Sequence, residues 1–209
     1  MKVLYFTQSL RLKDTLNARH FSGLTALEEL HLNLGGLTSL PSDVFSGMSH
    51  MEVLGLPDNN ISSLPEDLFQ GLPLLTNINL ASNKLTSIPN DLFRNLFKLK
   101  RLNLARNQLT SLPIGVFRNL TNLTALVLDS NSLQTLPEGL LANNNNLEFF
   151  HIRENKGDDY SRSERASVSE LARRSAPTRS NVPVSVRHGS IYKDMSVGNN
   201  VSLKQDVGL

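Results

Sequence analysis

Apolar residues recur along this chain with a constant period of 24 residues. Each repeat begins with an apolar residue, and further apolar residues follow it three and five positions later. The six residues that begin a repeat are Leu27, Met51, Leu75, Leu99, Leu123 and Leu147. Apolar residues at alternate positions are typical of a strand that buries one face. The sequence therefore predicts a short strand in each of the six repeats.

The rest of each repeat carries asparagine, proline and phenylalanine at fixed positions. The asparagines are Asn59, Asn83, Asn107, Asn131 and Asn155. The prolines and phenylalanines are Pro41, Pro65, Pro89, Pro113 and Pro137 with Phe45, Phe69, Phe93 and Phe117. Proline fixes φ and has no N–H donor, so it suits a turn that leaves a strand. An asparagine amide both donates and accepts, so we expect a buried asparagine ladder beside a core of leucine and phenylalanine.

Together these positions give the pattern L-x-x-L-x-L-x-x-N-x-L-x-x-L-P-x-x-x-F-x-x-L, which resembles the 24-residue typical class of the leucine-rich repeat family. The resemblance covers about residues 16–155. It implies an α/β-type solenoid, a curved horseshoe with a parallel sheet on its concave face and irregular or short helical segments on its convex side. It also implies a binding module. Because the sequence has no H-E-x-x-H, G-x-S-x-G or phosphate-loop motif, we expect no cofactor and no enzymatic activity.

The regularity of the pattern divides the chain into three parts. The same period, extended 24 residues before Leu27, places Val3 and Phe6 at leucine positions. It also places the polar residue Gln8 at a leucine position, so the first repeat is degenerate. After residue 155 the tail contains ten Ser and nine Lys or Arg, and only three of the chain's 39 leucines. We expect a mostly disordered tail, with a C-terminal cap or docking segment as the alternative. The parts are 1–24, a degenerate N-terminal repeat or cap; 25–155, the repeats; and 156–209, the Ser/Arg-rich tail.

Candidate binding residues are the strand side chains that face away from the core, because proteins of this family usually bind partners there. They are Glu29, His31, Asn77, Asn79, Arg101, Asn103, Ala125, Val127, Asp129, Phe149, His151 and Arg153.

Two groups of these residues have a specific interpretation. We expect an exposed Phe149 among the small apolar residues Ala125 and Val127. Its rim is formed by His151 and by an ion pair between Asp129 and Arg153, which resembles a binding hot spot. The alternative is that the tail folds back over Phe149. For the polar patch in the middle of the sheet, recognition of carboxylates or glycans is one hypothesis, and a solvated face is the alternative. That patch consists of Asn77, Asn79, Arg101 and Asn103.

Composition and spacing argue against several other classes of protein. The chain has no Cys, which excludes disulfides and thiolate metal sites as well as the cysteine-rich caps usual in extracellular family members. His31 and His151 are five strands apart, or roughly 24 Å, so they cannot share a metal ion or a substrate atom. The net charge of +2 and the lack of an aromatic row argue against nucleic acid as the partner. No apolar run is long enough to span a membrane.

The compartment is left open between two alternatives. The repeat class and the Asn-x-Ser/Thr sequons at Asn60, Asn119 and Asn122 favour a glycosylated receptor, adhesion or matrix protein at the cell surface. The first residues are too short an apolar run for a signal peptide, which favours a cytoplasmic scaffold with a regulatory tail. Under both readings we expect a protein partner on the concave face.

Overall fold

The repeats stack into a solenoid with one parallel sheet. The computed structural model describes residues 2–7, 16–33 and 36–156. Its sheet has seven strands in chain order, each paired in parallel with the next. The strands are β1 Val3–Thr7, β2 Glu29–Asn33, β3 Val53–Gly55, β4 Asn77–Asn79, β5 Arg101–Asn103, β6 Ala125–Val127 and β7 Phe149–His151. The predicted solenoid with a parallel sheet on its concave face is therefore confirmed.

The first strand is aligned differently from the sequence prediction. A step of one regular repeat placed Val3 and Phe6 at the leucine positions. In the structure Leu4 lies opposite Leu30 and Phe6 lies opposite Leu32, so the step from β1 to β2 is longer than the regular one. A regular step of 24 residues back from Leu30 leads to Phe6, whereas the structure pairs Leu30 with Leu4. The predicted alignment of β1 was therefore wrong by two positions.

The two additional residues lie between β1 and Leu16. Leu16 and Phe21 are buried, and they occupy the same positions of their repeat as Leu40 and Phe45, which are buried too. The regular frame is therefore kept from Leu16 onward, and the first repeat is longer only before that point. A constant period in the sequence cannot reveal such an insertion.

The core lies between the sheet and the turns of the convex side. Leucines of the strands fill one half, and phenylalanines fill the other. Phe69 and Phe93 stack with ring centroids 6.0 Å apart, and Phe93 and Phe117 are 6.3 Å apart. These rings are at most 1% exposed, and burying one contributes roughly 1.5–3 kcal/mol. Successive repeats therefore share one continuous apolar core.

The buried asparagine ladder predicted from the sequence is present. Asn107 Nδ2 donates to the carbonyls of Leu80, Leu104 and Ala105 at 3.0, 3.1 and 3.2 Å. Asn107 Oδ1 accepts the N–H of Leu85 at 3.1 Å. The same kinds of bond recur at Asn59, Asn83, Asn131 and Asn155. Each amide thus ties its own turn to the preceding repeat and satisfies backbone groups that water cannot reach.

A left-handed residue precedes each asparagine of the ladder. Its φ lies between 54° and 56°, although none of these residues is glycine. For an L-residue this conformation costs roughly 1–2 kcal/mol. The sharp turn aims the asparagine side chain into the core. The residues are Asp58, Ser82, Arg106, Ser130 and Glu154.

Turns form the convex side of the described residues. The sole helical segment there is a 3-10 helix at Ala18–Phe21, which Asn17 caps by accepting from the Arg19 N–H. Ion pairs join the turns of neighbouring repeats, with Arg94 bonding Asp67 at 2.8 Å. The predicted tail, apart from residue 156, lies outside the described residues.

Candidate binding face

The concave face carries three rows of side chains, one from each outward position of the strands. Strands lie about 4.8 Å apart, so side chains within a row have fixed neighbours. The first row is Val3, Glu29, Val53, Asn77, Arg101, Ala125 and Phe149. The second row is Tyr5, His31, Gly55, Asn79, Asn103, Val127 and His151. The third row begins with Asn33 at the end of β2 and continues, just beyond the shorter strands, with Pro57, Ala81, Ala105, Asp129 and Arg153.

Phe149 stands beside small side chains near the C-terminal end of the sheet, as predicted. It is half-buried rather than fully exposed. Ala125 and Val127 on the neighbouring strand are only 3% and 4% exposed, although their side chains leave the sheet on the concave side. The taller side chains around them shield both residues. Ala125 and Val127 are therefore covered on the concave face, and Phe149 stands beside Ala125.

The acidic group at this end is held differently from the predicted ion pair. The Arg153 backbone N–H donates to Asp129 Oδ1 at 2.7 Å. The other oxygen, Oδ2, lies 3.6 Å from His151 Nδ1. Asp129 is 7% exposed, so its carboxylate fixes the chain around β7 more than it offers a charge to a ligand.

The polar middle patch divides into structural and accessible members. Asn103 is 4% exposed, and its Oδ1 accepts the Ala105 N–H at 3.0 Å. Asn79 accepts the Ala81 N–H in the same way, also at 3.0 Å. Both amides therefore support the local backbone. Arg101 is exposed and remains the charged group that a ligand can reach in this patch.

An aromatic stack occupies the N-terminal end of the face. The rings of Tyr5 and His31 are parallel within 7°, with centroids 4.6 Å apart. On the next strand Gly55 leaves room for the imidazole, because a Cβ there would lie 2.8 Å from His31 Nδ1. Tyr5 is 40% exposed and Val3 is 38% exposed, so this end presents an apolar ledge. Val3 and Tyr5 were not predicted on this face because the predicted frame for β1 was two positions off, and the uniformly apolar run from Val3 to Phe6 does not distinguish inward from outward positions.

Burial governs the charge of His31. Its pKa is lowered from 6.5, mainly because burial disfavours the imidazolium, while a hydrogen bond and the charge of Glu29 act in the opposite direction. Glu29 Oε2 lies 3.5 Å from His31 Nε2, a distance at which the contact is weak, and Nε2 has no closer partner. Asn33 Oδ1 on the same strand is also buried without a partner.

The described residues offer no assembled metal site. Within residues 2–7, 16–33 and 36–156, no three His, Asp or Glu side chains come together in a way that would hold a metal ion. In the same ranges, no helix has both the length and the apolar character that crossing a membrane requires.

The sequons lie beside strands or turns and use their amides within the fold. Asn119 Nδ2 donates to the Arg94 carbonyl, and Asn122 Nδ2 donates to the Phe97 carbonyl, each at 2.7 Å. Asn122 is exposed, whereas Asn60 and Asn119 are half-buried. Glycosylation at these three positions remains a prediction.

A family model now accounts for this geometry. The model described as Leucine rich repeat matches residues 26–85, 73–129 and 97–156. The chain belongs to the leucine-rich repeat family. No curated protein matches the sequence.

Among solved structures, this leucine-rich repeat chain is similar to parts of much longer proteins. One is a chain in the structure of the Toll–Spatzle complex from Drosophila, with 27% identity and a TM-score of 0.56. It matches over 73% of this chain and 23% of that chain. Another is a chain in the TLR13–ssRNA13 complex, with 28% identity and a TM-score of 0.62 over 73% of this chain and 25% of that one. The present chain thus spans about a quarter of the chains that it resembles.

Proposed function

We propose that the chain is a recognition module that binds a protein partner on its concave face. The observation that carries this proposal is the contrast between the two sides of the strands. Inward positions are almost uniformly leucine, while the outward rows change from strand to strand between acidic, basic, amide and aromatic side chains. A rigid sheet that holds such varied groups at fixed spacing loses little entropy on binding.

Several observations favour a protein over nucleic acid as the partner. The similar structures leave both classes open, because one is a complex with a protein, Spatzle, and the other with single-stranded RNA, so the argument comes from the surface of this chain. On the present concave face, Arg101 and Arg153 are matched in number by Glu29 and Asp129. The exposed aromatic ledge at Tyr5 is separated from Phe149 by five strands, so bases have no continuous row on which to stack.

The setting that we propose is an extracellular receptor, adhesion or matrix protein, and an intracellular scaffold is the alternative. The typical-class repeat and the sequons at Asn60, Asn119 and Asn122 support the first. Treatment of the protein from its native cells with peptide N-glycosidase distinguishes the two. A decrease in mass supports the extracellular setting, and an unchanged mass contradicts it.

The absence of Cys in the sequence permits a direct test of the binding face. Asn77→Cys places a single thiol in the middle of the concave face, and Gln70→Cys places one on an exposed convex turn. Each variant is coupled to a bulky maleimide polymer. Binding is then measured to peptides selected on the unlabelled protein from a random display library, and to a random single-stranded RNA pool.

We expect the polymer at position 77 to abolish peptide binding and the polymer at position 70 to leave it unchanged. Blocking from position 70 alone would contradict the proposed face. Binding of RNA without binding of peptides would contradict the proposed class of partner.

A further inference from the structure

One flank of the sheet carries a row of residues that each stand directly before the first residue of a strand. Every member after the first donates its N–H to the carbonyl of the preceding member, at 2.7–2.9 Å. These bonds keep the members one strand apart, about 4.8 Å. The row marks the side on which the chain enters the sheet, and we call it the flank row. Its members are Lys2, Glu28, Glu52, Thr76, Lys100, Thr124 and Glu148.

The charges of the flank row change sign when the row is reversed about Thr76. Glu52 lies one strand before Thr76, and Lys100 lies one strand after it. Lys2 lies three strands before Thr76, and Glu148 lies three strands after it. A second copy of the row that runs antiparallel, with Thr76 opposite Thr76, therefore places an acidic residue opposite each of these lysines. A centre at Glu52 or at Lys100 would instead place like charges opposite each other.

The charged members of the flank row are available for contacts with another molecule. Glu52, Lys100 and Glu148 are exposed and form no ion pair within the part of the chain that the structure describes. Lys2 is exposed as well and pairs with Glu28 at 2.7 Å. An ammonium group has three donors, so Lys2 can accept a second carboxylate beside that of Glu28.

The centre of the flank row is uncharged and partly apolar. Thr76 and Leu74 are half-buried, and Pro73 is exposed in the turn that leads into β4. In a symmetric pair of molecules, residues on the two-fold axis meet their own copies. Burial of Pro73 and Leu74 against their copies favours association, while the charges on either side fix the register.

We propose that the flank row is an interface between two copies of this chain, which run antiparallel with Thr76 opposite Thr76. Glu52 of each copy contacts Lys100 of the other, and Lys2 of each copy contacts Glu148 of the other. The two-fold axis runs through Thr76 along the radius of the solenoid's curve, so the two curved outlines coincide. Both concave faces then stay open and point in the same direction. This inference goes beyond the proposed function, because it adds a second surface and a second partner.

Charge reversals test the proposed register. Sedimentation velocity of the full chain is measured at low salt over a series of concentrations for the wild type, Glu52→Lys and Lys100→Glu. The wild type should form dimers. Each variant should raise the dissociation constant about tenfold or more, because two contacts between opposite charges become two contacts between like charges. The matched controls Glu66→Lys and Lys84→Glu make the same changes at exposed positions outside the flank row and should dimerise like the wild type.

A mixture of the two charge-reversed proteins tests the antiparallel pairing itself. In a dimer of Glu52→Lys with Lys100→Glu, the unaltered glutamate faces the unaltered lysine, and the introduced lysine faces the introduced glutamate. The equimolar mixture should therefore dimerise about as tightly as the wild type, although neither protein does so alone. Circular dichroism of both variants establishes that they are folded, as expected for substitutions of exposed residues.

Three results would overturn this inference. They are a wild type that remains monomeric up to roughly millimolar concentration, dimers that persist unchanged in either charge-reversed variant, and a mixture that remains as monomeric as its components. Each of these results leaves the proposed recognition function standing, because peptide binding to the concave face is measured separately.

Discussion

At the scale of single residues, buried amides join one repeat to the next. Asn107 satisfies backbone groups of its own repeat and of the repeat before it. Asn144 interrupts the leucine pattern, yet it is fully buried, and its Nδ2 donates to the carbonyls of Phe117 and Leu120 at 3.0 and 2.9 Å. Asn144 therefore ties the last turns to the preceding repeat through its Nδ2, although its buried Oδ1 has no hydrogen-bond partner.

Replacing a ladder asparagine should destabilise the fold. We expect Asn107→Leu to lower the free energy of unfolding by roughly 1–3 kcal/mol, because the buried N–H of Leu85 and several carbonyls lose their partner. Urea denaturation measures the change. Asn77→Leu, on the concave surface, is the control and should change stability by less than about 0.5 kcal/mol. Equal effects of the two substitutions would remove the account of the ladder.

The buried imidazole of His31 should make stability depend on pH. Its folded-state pKa is lowered, so the neutral form stabilises the fold above the unfolded-state value of 6.5. As the pH falls below that value the unfolded chain takes up the proton first, and the free energy of unfolding decreases until the pH has passed the lowered pKa. His31→Phe retains a ring beside Tyr5 but cannot titrate.

The free energy of unfolding of the wild type and of His31→Phe is measured by urea denaturation at about pH 7.5 and at about pH 5.5. These values lie on either side of the ordinary pKa of histidine. The wild type should lose more stability on acidification than His31→Phe does. An identical loss in both proteins would show that His31 is not the titrating group.

At the scale of elements, each of the strands β3 to β7 is followed by the same left-handed turn before its ladder asparagine. Ser82 has φ 56° there, whereas Ser87 in the same repeat is not among the residues with positive φ. We expect Ser82→Gly to raise the free energy of unfolding by about 0.5–1 kcal/mol, because relief of left-handed strain exceeds the entropy cost of glycine. The matched change Ser87→Gly should lower it by roughly 0.4–1 kcal/mol. The free energies of unfolding are measured by chemical denaturation. If Ser82→Gly and Ser87→Gly both raised or both lowered this free energy, the strain assigned to this turn would be contradicted.

The sequence predicted the regular elements well because one physical requirement recurs in every repeat. Strand positions, the buried phenylalanines and the asparagine ladder all follow from the constant length of the repeat. The first strand did not follow it, since two additional residues before Leu16 shift the frame. For this reason the sequence did not predict Tyr5 on the concave face, and it did not predict the stacking of Tyr5 on His31.

The candidate site was predictable in position but not in detail. Alternation along a strand determines which side chains point outward, so the sequence pattern predicted the outward positions of the regular strands. It does not determine their height above the sheet or their local bonds. The burial of Ala125 and Val127, the capping role of Asn103 and the backbone bond from Arg153 to Asp129 depend on neighbours in the next repeat.

At the scale of the whole molecule, the solenoid acts as a frame that presents a variable face. Adjacent repeats share core rings, ladder bonds and sheet pairing, so the outward rows keep their spacing along the sheet. We propose that a partner binds to the concave side of this frame.

Paired phenylalanine substitutions test that claim most directly. Phe149 lies on the concave face, while Phe97 is 56% exposed in a turn outside the sheet. The affinity of the selected peptides is measured for Phe149→Ala and Phe97→Ala, together with their thermal unfolding. We expect Phe149→Ala to weaken binding about tenfold while the protein stays folded, and Phe97→Ala to leave binding unchanged. A marked loss of thermal stability in Phe149→Ala with unchanged affinity would contradict the account, because Phe149 would then serve packing alone.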